Sequence, residues 1–255
     1  MGGVILVVVI AIIAGLILSV ASVLFNVPVD EKEAAIRECL PGANCGACGY
    51  SGCDGYARAL ADGSAENGLC SPGGQETATK IAALIGGSAE VEKKTAVVMC
   101  QGDLEHTTIV NEYNGLPSCR AASLSYGGNK ACAFGCLGFG DCEKVCPENA
   151  ICIVGGVAKV NSEACIACGK CAAECPKHII KVVPEKFAQH VKCRNTDKGP
   201  AARKVCKTAC IGCMKCQKGC PADAIHVKNN LAEIDYEKCV NCGKCKNECP
   251  TGAIL

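Results

Sequence analysis

The sequence predicts an α+β protein made of a single N-terminal transmembrane helix, a small four-cysteine domain and two tandem modules of one kind. Three observations support this prediction. The 22 residues from Val4 to Phe25 carry no charge, the 255-residue chain contains 26 cysteines, and most of these recur at a spacing that ends in Cys-Pro. The predicted domains are residues 1–28, 31–90, 95–186 and 187–255.

The recurring spacing is C-x2-C-x2-C-x3-C-P, with which bacterial ferredoxins hold [4Fe-4S] clusters. It occurs in full from Cys165, Cys210 and Cys239, and as a variant from Cys132. In such runs three closely spaced thiolates bind one cluster, and the fourth binds the cluster of the partner run. Four runs therefore predict two bacterial ferredoxin-like (2[4Fe-4S]) modules.

Pairing the runs assigns the ligands of three clusters. The predicted sets are Cys165, Cys168, Cys171 and Cys146; Cys210, Cys213, Cys216 and Cys249; and Cys239, Cys242, Cys245 and Cys220.

An internal repeat relates the two modules. Nine cysteines recur 74 positions later, namely Cys119, Cys132, Cys136, Cys142, Cys146, Cys165, Cys168, Cys171 and Cys175. By this alignment Cys119 corresponds to Cys193, and the two should share one structural position. Phe139 breaks the pattern, because it stands where Cys213 stands in the second copy.

The first copy therefore lacks one ligand. Cys132 is the nearest thiol that can replace it, so the fourth predicted cluster is held by Cys132, Cys136, Cys142 and Cys175. Its counterpart Cys206 is then left without a cluster.

Two other chemistries use closely spaced cysteines. Disulfide scaffolds are typical of short secreted chains, and zinc binds C-x2-C pairs. Neither has a reason to repeat the full run with its Cys-Pro ending three times. The pattern favours iron and sulfide, in a reducing compartment.

A fifth cluster is predicted in the four-cysteine domain. The stretch LPGANCGACGYSGC from Leu40 to Cys53 is followed by Cys70, which gives the spacing C-x2-C-x4-C-x16-C. These thiols, Cys45, Cys48, Cys53 and Cys70, can enclose a [4Fe-4S] cluster. The glycines between them allow backbone N–H groups to approach sulfur closely.

That stretch, behind an N-terminal apolar segment, resembles the B subunit of the Rnf complex, a membrane-bound ferredoxin:NAD+ oxidoreductase that couples electron flow to Na+ or H+ transport. The segments VMCQG from Val98 and GCLGFGDC from Gly135 also resemble that family. The resemblance implies that the Cys45 set binds the membrane-proximal cluster. It also implies that the modules accept electrons from reduced ferredoxin and pass them to membrane subunits. Many members of the family have one ferredoxin module, whereas this chain has two.

The apolar run from Val4 to Phe25 is long enough to cross a bilayer as a helix. A cleaved signal peptide is the alternative, since Ser19-Val20-Ala21 offers small residues, but no basic segment precedes the run. Lys32 and Arg37 follow it, which places the bulk of the chain on the cytoplasmic side of the cell membrane. At the other end the chain stops at Ile254-Leu255, whereas the first copy continues as Ile179-Ile180-Lys181-Val182-Val183, so we expect a final strand or more to be missing.

Six cysteines lie outside the five predicted clusters. They are interpreted as buried thiols that pack as small hydrophobic groups, and replacement of a predicted ligand is the alternative. They are Cys39, Cys100, Cys119, Cys152, Cys193 and Cys206. The four histidines share no ligand spacing and predict no metal site.

Charge is unevenly distributed although the net charge is +1. Between Lys177 and Lys218 there are 11 basic residues against two acidic ones. A solvated connector is one interpretation, and a dock for acidic ferredoxin is the other, because opposite charges speed transient encounters. The candidate docking residues are Lys192, Arg194, Lys198, Arg203 and Lys204. No aromatic residues interleave with them as in nucleic-acid sites.

The function predicted is that of an electron-transfer subunit with five [4Fe-4S] clusters. No Gly-rich phosphate loop follows a strand, so NAD and flavin should bind to partner subunits. The sequence offers no catalytic constellation for bond-breaking chemistry. Two alternatives remain: a membrane-tethered polyferredoxin that serves an unrelated reductase without ion pumping, and an exported disulfide-linked binding protein.

Overall fold

The structure, a computed structural model, describes residues 2–24, 30–88, 90–125 and 127–255. Its first helix, α1, spans Gly2–Leu24. Counting only the residues described in full, no helix is long and apolar enough to cross a membrane. The predicted anchor, residues 1–28, also includes Met1 and residues 25–28, which lie outside the described residues.

Three helices form the four-cysteine domain: α2 (Glu31–Cys39), α3 (Cys53–Ala61) and α4 (Gly74–Ile85). Helix α2 begins where the Asp30 carboxylate accepts a hydrogen bond of 2.8 Å from the Lys32 backbone N–H, which satisfies one free donor of the first turn. Ile36, Leu60 and Ile81 are almost completely buried between the helices. Burial of each such side chain contributes roughly 2 kcal/mol to the free energy of folding. The helices are therefore packed firmly together, and they hold both ends of the loops that carry the cysteines.

Two antiparallel strand pairs build the first ferredoxin-like module. Strand β1 (Lys94–Val98) pairs with β4 (Ile180–Pro184), and β2 (Ile151–Val154) pairs with β3 (Val157–Val160). Three short helices lie between these strands: α5 (Cys119–Leu124), α6 (Asp141–Lys144) and α7 (Lys170–Glu174). The β1–β4 pair joins the beginning of the module to its end, and both pairs bury apolar side chains in one core.

The second module repeats this plan. Its hairpin consists of β5 (Ile225–Lys228) and β6 (Leu231–Ile234), and its helices are α8 (Gly199–Val205), α9 (Lys215–Lys218) and α10 (Lys244–Asn247). In this module the antiparallel pairing that joins its beginning to its end is short. His190 and Leu255 exchange backbone hydrogen bonds of 2.7 and 3.1 Å, and Val191 bridges Ile254.

The backbone hydrogen bonds show how the modules correspond. The Met99 N–H donates to the Ile179 carbonyl at 2.6 Å, and the Lys192 N–H donates to the Ala253 carbonyl at 2.7 Å. The acceptors are 74 residues apart in sequence, as in the cysteine repeat, but the donors are 93 apart. The first module therefore contains 19 extra residues after its first strand.

This insertion corrects the predicted equivalence of Cys119 and Cys193. The Sγ atom of Cys193 accepts two hydrogen bonds. One comes from the backbone N–H two residues later in the chain, and the other comes from the backbone N–H of Cys210. In the first module the Sγ of Cys100 accepts the two corresponding hydrogen bonds. One comes from the backbone N–H two residues later in the chain, and the other comes from the backbone N–H of Cys136. Cys100 is thus the counterpart of Cys193, and the 74-residue match of Cys119 is a coincidence of spacing.

The two modules pack directly against each other. Thr107 forms a bridge with Cys206, and its hydroxyl donates to the Val205 carbonyl at 2.7 Å. Gln101 donates to the Gly252 carbonyl at 2.9 Å. These contacts bring cysteines from both modules to one junction.

Candidate iron–sulfur sites

One cavity in the second module, the second-module cavity, has the arrangement expected of a regular ferredoxin run. It is lined by the four predicted thiols, Cys210, Cys213, Cys216 and Cys249. Burial and the nearby thiolates of the other three cysteines raise the pKa of Cys216 to about 12. The structure thus gathers this predicted set around one space.

The other two regular sets are also brought together. Burial raises the pKa of Cys171 to about 11, with further increases from three neighbours, Cys165, Cys168 and Cys146. Burial likewise raises the pKa of Cys245, with further increases from Cys239, Cys220 and Cys242. The Ala150 N–H donates to the Cys146 Sγ and the Ala224 N–H to the Cys220 Sγ, each at 3.3 Å.

The Cys45 set lies at the ends of the loops between α2, α3 and α4. Burial is the main cause that raises the pKa of Cys70, and the thiolates of Cys53, Cys48 and Cys45 add to it. Cys53 begins helix α3, where its backbone N–H donates to the Asn44 side-chain oxygen at 2.8 Å. This bond closes the loop from residue 44 to residue 53, which carries the first three cysteines of the set.

The variant run differs from the prediction. The first-module cavity is lined by Cys136, Cys142 and Cys175 as expected, but its fourth thiol is Cys119. Burial raises the pKa of Cys142 to about 12, with Cys136, Cys119 and Cys175 among the thiolates that raise it further. Cys132 lines a different cavity. The prediction that placed Cys132 with this set is therefore corrected.

The insertion explains why Cys119, and not Cys132, completes this set. Phe139, which occupies the position of the missing thiol, packs its ring 5.3 Å from that of Tyr113 in the inserted segment. The same segment carries α5, and Cys119 is the first residue of this helix. The Ser118 hydroxyl donates to the Asp141 carboxylate at 2.7 Å, which ties the beginning of α5 to α6. A residue distant in sequence thus supplies the sulfur that the local run lacks.

The chemistry of these sites fits [4Fe-4S] clusters. All 26 cysteines are free thiols and none forms a disulfide. Within the described ranges, no group of three or more His, Cys, Asp or Glu side chains is close enough to hold a single metal ion. Four thiols gathered around one cavity suit a cluster, in which each thiolate binds a different iron.

Two of the remaining cysteines line none of these cavities. Cys152 is exposed on β2, opposite Lys159 of β3, and Cys39 ends α2 beside the core of the four-cysteine domain. The other three, Cys100, Cys193 and Cys206, meet Cys132 at the junction of the modules. The sequence did not predict that these four thiols lie together, although the pattern Val-x-Cys occurs at both Val98 and Val191.

The predicted docking residues divide into two groups. Lys198, Arg203 and Lys204 are exposed on α8 or beside it. Lys192 and Arg194 are half-buried, and Arg194 forms an ion pair of 3.2 Å with Glu233. Only the first group presents its charge fully to solvent.

Known protein families match three parts of the chain. Residues 40–72 match the family described as "Putative Fe-S cluster", residues 158–181 match "4Fe-4S binding domain" and residues 209–253 match "4Fe-4S dicluster domain". These matches confirm that ferredoxin-type [4Fe-4S] domains are present. They do not fix the number of clusters.

Curated relatives match almost the whole chain. The B subunit of the Na(+)-translocating ferredoxin:NAD(+) oxidoreductase complex of Acetobacterium woodii is 46% identical over 230 residues, which cover 89% of this chain and 69% of that protein. This chain belongs to the family of Rnf complex B subunits. Other members are the B subunits of the proton-translocating ferredoxin:NAD(+) oxidoreductase complex of Clostridium ljungdahlii and of the ion-translocating oxidoreductase complex of Methanosarcina acetivorans. The first is 44% identical over 89% of this chain and 81% of that protein, and the second is 40% identical over 88% and 86%.

Membership of the B-subunit family confirms the resemblance recognised in the motifs. The Cys45 set lies within the match at residues 40–72, and all three regular runs lie within the other two matches. Cys119, which completes the first-module cavity, lies outside all three.

Proposed function

We propose that this chain is the electron-transfer subunit of an ion-translocating ferredoxin:NAD+ oxidoreductase. It accepts electrons from reduced ferredoxin and delivers them to membrane-bound partner subunits. The observation that carries the proposal is the second-module cavity, where four thiols of a ferredoxin run surround one space. A [4Fe-4S] cluster supplies one-electron transfer when it is bound.

Five ligand sets follow from the cavities and the runs. Four of them are the predicted sets around Cys45, Cys165, Cys210 and Cys239. The fifth is Cys119, Cys136, Cys142 and Cys175, in which Cys119 takes the place that the sequence assigned to Cys132. The apolar side chains around these thiols limit the access of water, and N–H groups aimed at sulfur stabilise bound thiolates.

Ferredoxin docks beside α8. The exposed side chains of Lys198, Arg203 and Lys204 give this surface a positive charge, and reduced ferredoxin is the acidic partner it suits. Lys192 and Arg194 contribute less, because both are half-buried and Arg194 is already paired with Glu233. The surface lies in the same module as the second-module cavity.

The chain is anchored in the cell membrane by α1, and its cysteine domains lie on the cytoplasmic side. The proposal is supported by the uncharged run from Val4 to Phe25 and by the exposure of apolar side chains such as Leu16 and Leu18. Lys32 and Arg37 follow the run, as basic residues do on the cytoplasmic side of a span. Deleting residues 2–29 should release the chain from membranes into the soluble fraction, and retention of the deleted chain in washed membranes would refute the anchor.

The function is tested with the anaerobically purified chain and with membranes. Reduced ferredoxin mixed with the oxidised chain should reduce its clusters within seconds, as measured by absorbance and EPR. Membranes from a strain that lacks the chain should lose ferredoxin-dependent NAD+ reduction and regain it with the wild-type gene. The variant Cys213→Ala should restore little activity, whereas the matched Cys152→Ala variant, which alters an exposed thiol, should restore it fully.

The polyferredoxin alternative predicts a different result. If the chain serves an unrelated reductase, its deletion leaves ferredoxin-dependent NAD+ reduction intact, and other subunits of the complex do not co-purify with it. Either result would overturn the proposal.

A further inference from the structure

A cavity at the junction of the two modules contains four cysteines that the five ligand sets do not use. We propose that this junction cavity binds a sixth [4Fe-4S] cluster, held by Cys100 and Cys132 of the first module and Cys193 and Cys206 of the second. All four residues line one cavity, as the four thiols of a regular run line the second-module cavity.

The four thiols are arranged with local symmetry. Cys132 precedes Cys136 by four residues, as Cys206 precedes Cys210. The N–H of Cys136 donates to the Cys100 Sγ at 3.3 Å, and the N–H of Cys210 donates to the Cys193 Sγ at the same distance. Each module thus contributes one sulfur from just after the segment that pairs with its C-terminal end, and one from four residues before Cys136 or Cys210.

Hydrogen-bond donors already point at the sulfur atoms. The Gly102 N–H lies 3.3 Å from the Cys100 Sγ, and the Asn195 N–H lies 3.4 Å from the Cys193 Sγ. The side-chain amide of Asn195, a residue only 1% exposed, lies 3.7 Å from the Cys132 Sγ. Donors of this kind surround cluster thiolates and tune their potential.

Two glycines lie beside the junction sulfurs. A Cβ atom on Gly102 would stand 3.6 Å from both the Cys100 Sγ and the Cys206 Sγ, which is ordinary van der Waals contact. A Cβ atom on Gly135 would stand 3.6 Å from the Cys100 Sγ and 3.7 Å from the Cβ of Cys132. The backbone at position 102 therefore lies close to sulfur atoms of both modules.

Positive charge lies beside the same space. Lys130 is only 7% exposed, and its ammonium group donates to the carbonyls of Gly102 and Gly156 at 2.9 and 2.6 Å. Lys192 and Arg194 also line the cavity. Four cysteine thiols release four protons when they bind iron, and nearby cations offset the resulting negative charge.

A cluster fits this site better than a single ion. Within the part of the chain that the structure describes, no three cysteines converge closely enough for one metal ion, at the junction or in the regular ferredoxin sets. The junction resembles those sets in its thiol count and in its N–H donors. A zinc site would require the four sulfur atoms to converge on one point.

The junction lies between the two ferredoxin-like modules, and this position suggests a role in electron transfer between them. That role rests on the proposed function. Cys136 and Cys210, whose N–H groups bond the junction sulfurs, line the first-module and second-module cavities. A cluster between them connects the two modules, taking up one electron from one side and releasing one to the other.

The test is the metal content of the full chain, purified without oxygen and supplied with iron and sulfide. Six clusters give about 24 iron and 24 sulfide per chain, and five give about 20, since each holds four of each. About 24 supports the sixth cluster. About 20 overturns it and leaves the five-cluster function intact, whereas almost no iron would overturn both.

Variants locate the additional iron. The double variant Cys132→Ala and Cys206→Ala should contain about four fewer iron atoms than the wild type and should lose one EPR signal while keeping the others. The control Cys39→Ala and Cys152→Ala removes two thiols outside every set and should keep all the iron. An unchanged iron content in the junction variant, or one zinc per chain that this variant abolishes, would overturn the proposal; the wild-type count decides the matter if the variant does not fold.

Discussion

The backbone N–H of Cys136 donates a hydrogen bond of 3.3 Å to the Sγ of Cys100. Cys136 lines the first-module cavity, whereas Cys100 lines the junction cavity. One peptide group thus connects the walls of two neighbouring sites. Because N–H donors stabilise the more negative state of a bound cluster, changes at one of these sites should be measurable at the other.

Cys119 should be essential for the first-module cluster. The variant Cys119→Ala removes the fourth thiol from the cavity, so we expect about four iron atoms fewer per chain and the loss of one cluster signal. The second substitution Phe139→Cys, which restores the thiol found at Cys213 in the other module, should recover the iron. The measurement is iron per chain together with EPR.

The control for this experiment is Cys152→Ala, which alters an exposed thiol. Full iron content in the Cys119→Ala variant would show that another residue completes the set.

Gly138 should be far less tolerant of substitution than Gly169. Both have a positive φ, +80° and +76°, but a Cβ on Gly138 would stand 2.5 Å from the Gly156 carbonyl oxygen, whereas one on Gly169 meets nothing within 4 Å. Gly169→Ala should therefore cost about 1 kcal/mol from backbone strain alone. Gly138→Ala should cost about 3 kcal/mol, because the backbone must also move. Thermal unfolding followed by circular dichroism compares the two, and equal midpoints would contradict the steric argument.

Reversing the charge beside α8 should slow the reaction with ferredoxin. In the triple variant, Lys198, Arg203 and Lys204 are each replaced by Glu, and we expect reduction by ferredoxin to slow roughly tenfold at low salt. The dependence of the rate on salt should weaken as well. Stopped-flow absorbance measures both.

The matched control carries the same change in charge elsewhere. It replaces Lys159, Lys181 and Lys228, exposed lysines on β3, β4 and β5, by Glu. If both triple variants slow equally, net charge rather than a dock at α8 controls the encounter.

His190 should make the fold sensitive to mild acid. It is buried, its ring lies 2.7 Å from the Tyr236 hydroxyl, and burial lowers its pKa to about 4. In the unfolded chain its pKa is about 6.5, so the unfolded state binds the extra proton first. Stability should be highest above pH 6.5 and fall as the pH is lowered towards 4, by up to about 3 kcal/mol. Thermal midpoints at pH 7.5, 6.5 and 5.5 should decrease in that order, and less steeply in His190→Gln.

Local spacing predicted the parts of the site that local geometry determines. Each regular run could be assigned to one module because its thiols lie within a few residues of each other and of a Cys-Pro turn, and the structure gathers the sets around Cys171, Cys216 and Cys245. These features require no knowledge of the tertiary fold.

The remaining thiols depend on contacts that spacing does not encode. Cys119 reaches its cavity through an insertion of 19 residues, and Cys100 matches Cys193 at 93 residues rather than 74. A single repeat length therefore aligned the wrong pair. The junction also depends on how the modules pack, which no motif within either module determines.

The equal contribution of sulfur from both modules has a consequence for biogenesis. Each module supplies two of the four junction thiols, so neither can complete that site while its neighbour is unfolded. Iron at the junction would then report that synthesis and folding had reached the second half of the chain. A protein truncated between the modules would keep the clusters internal to its first half and lose this one, which would make the junction a checkpoint for maturation of the whole protein.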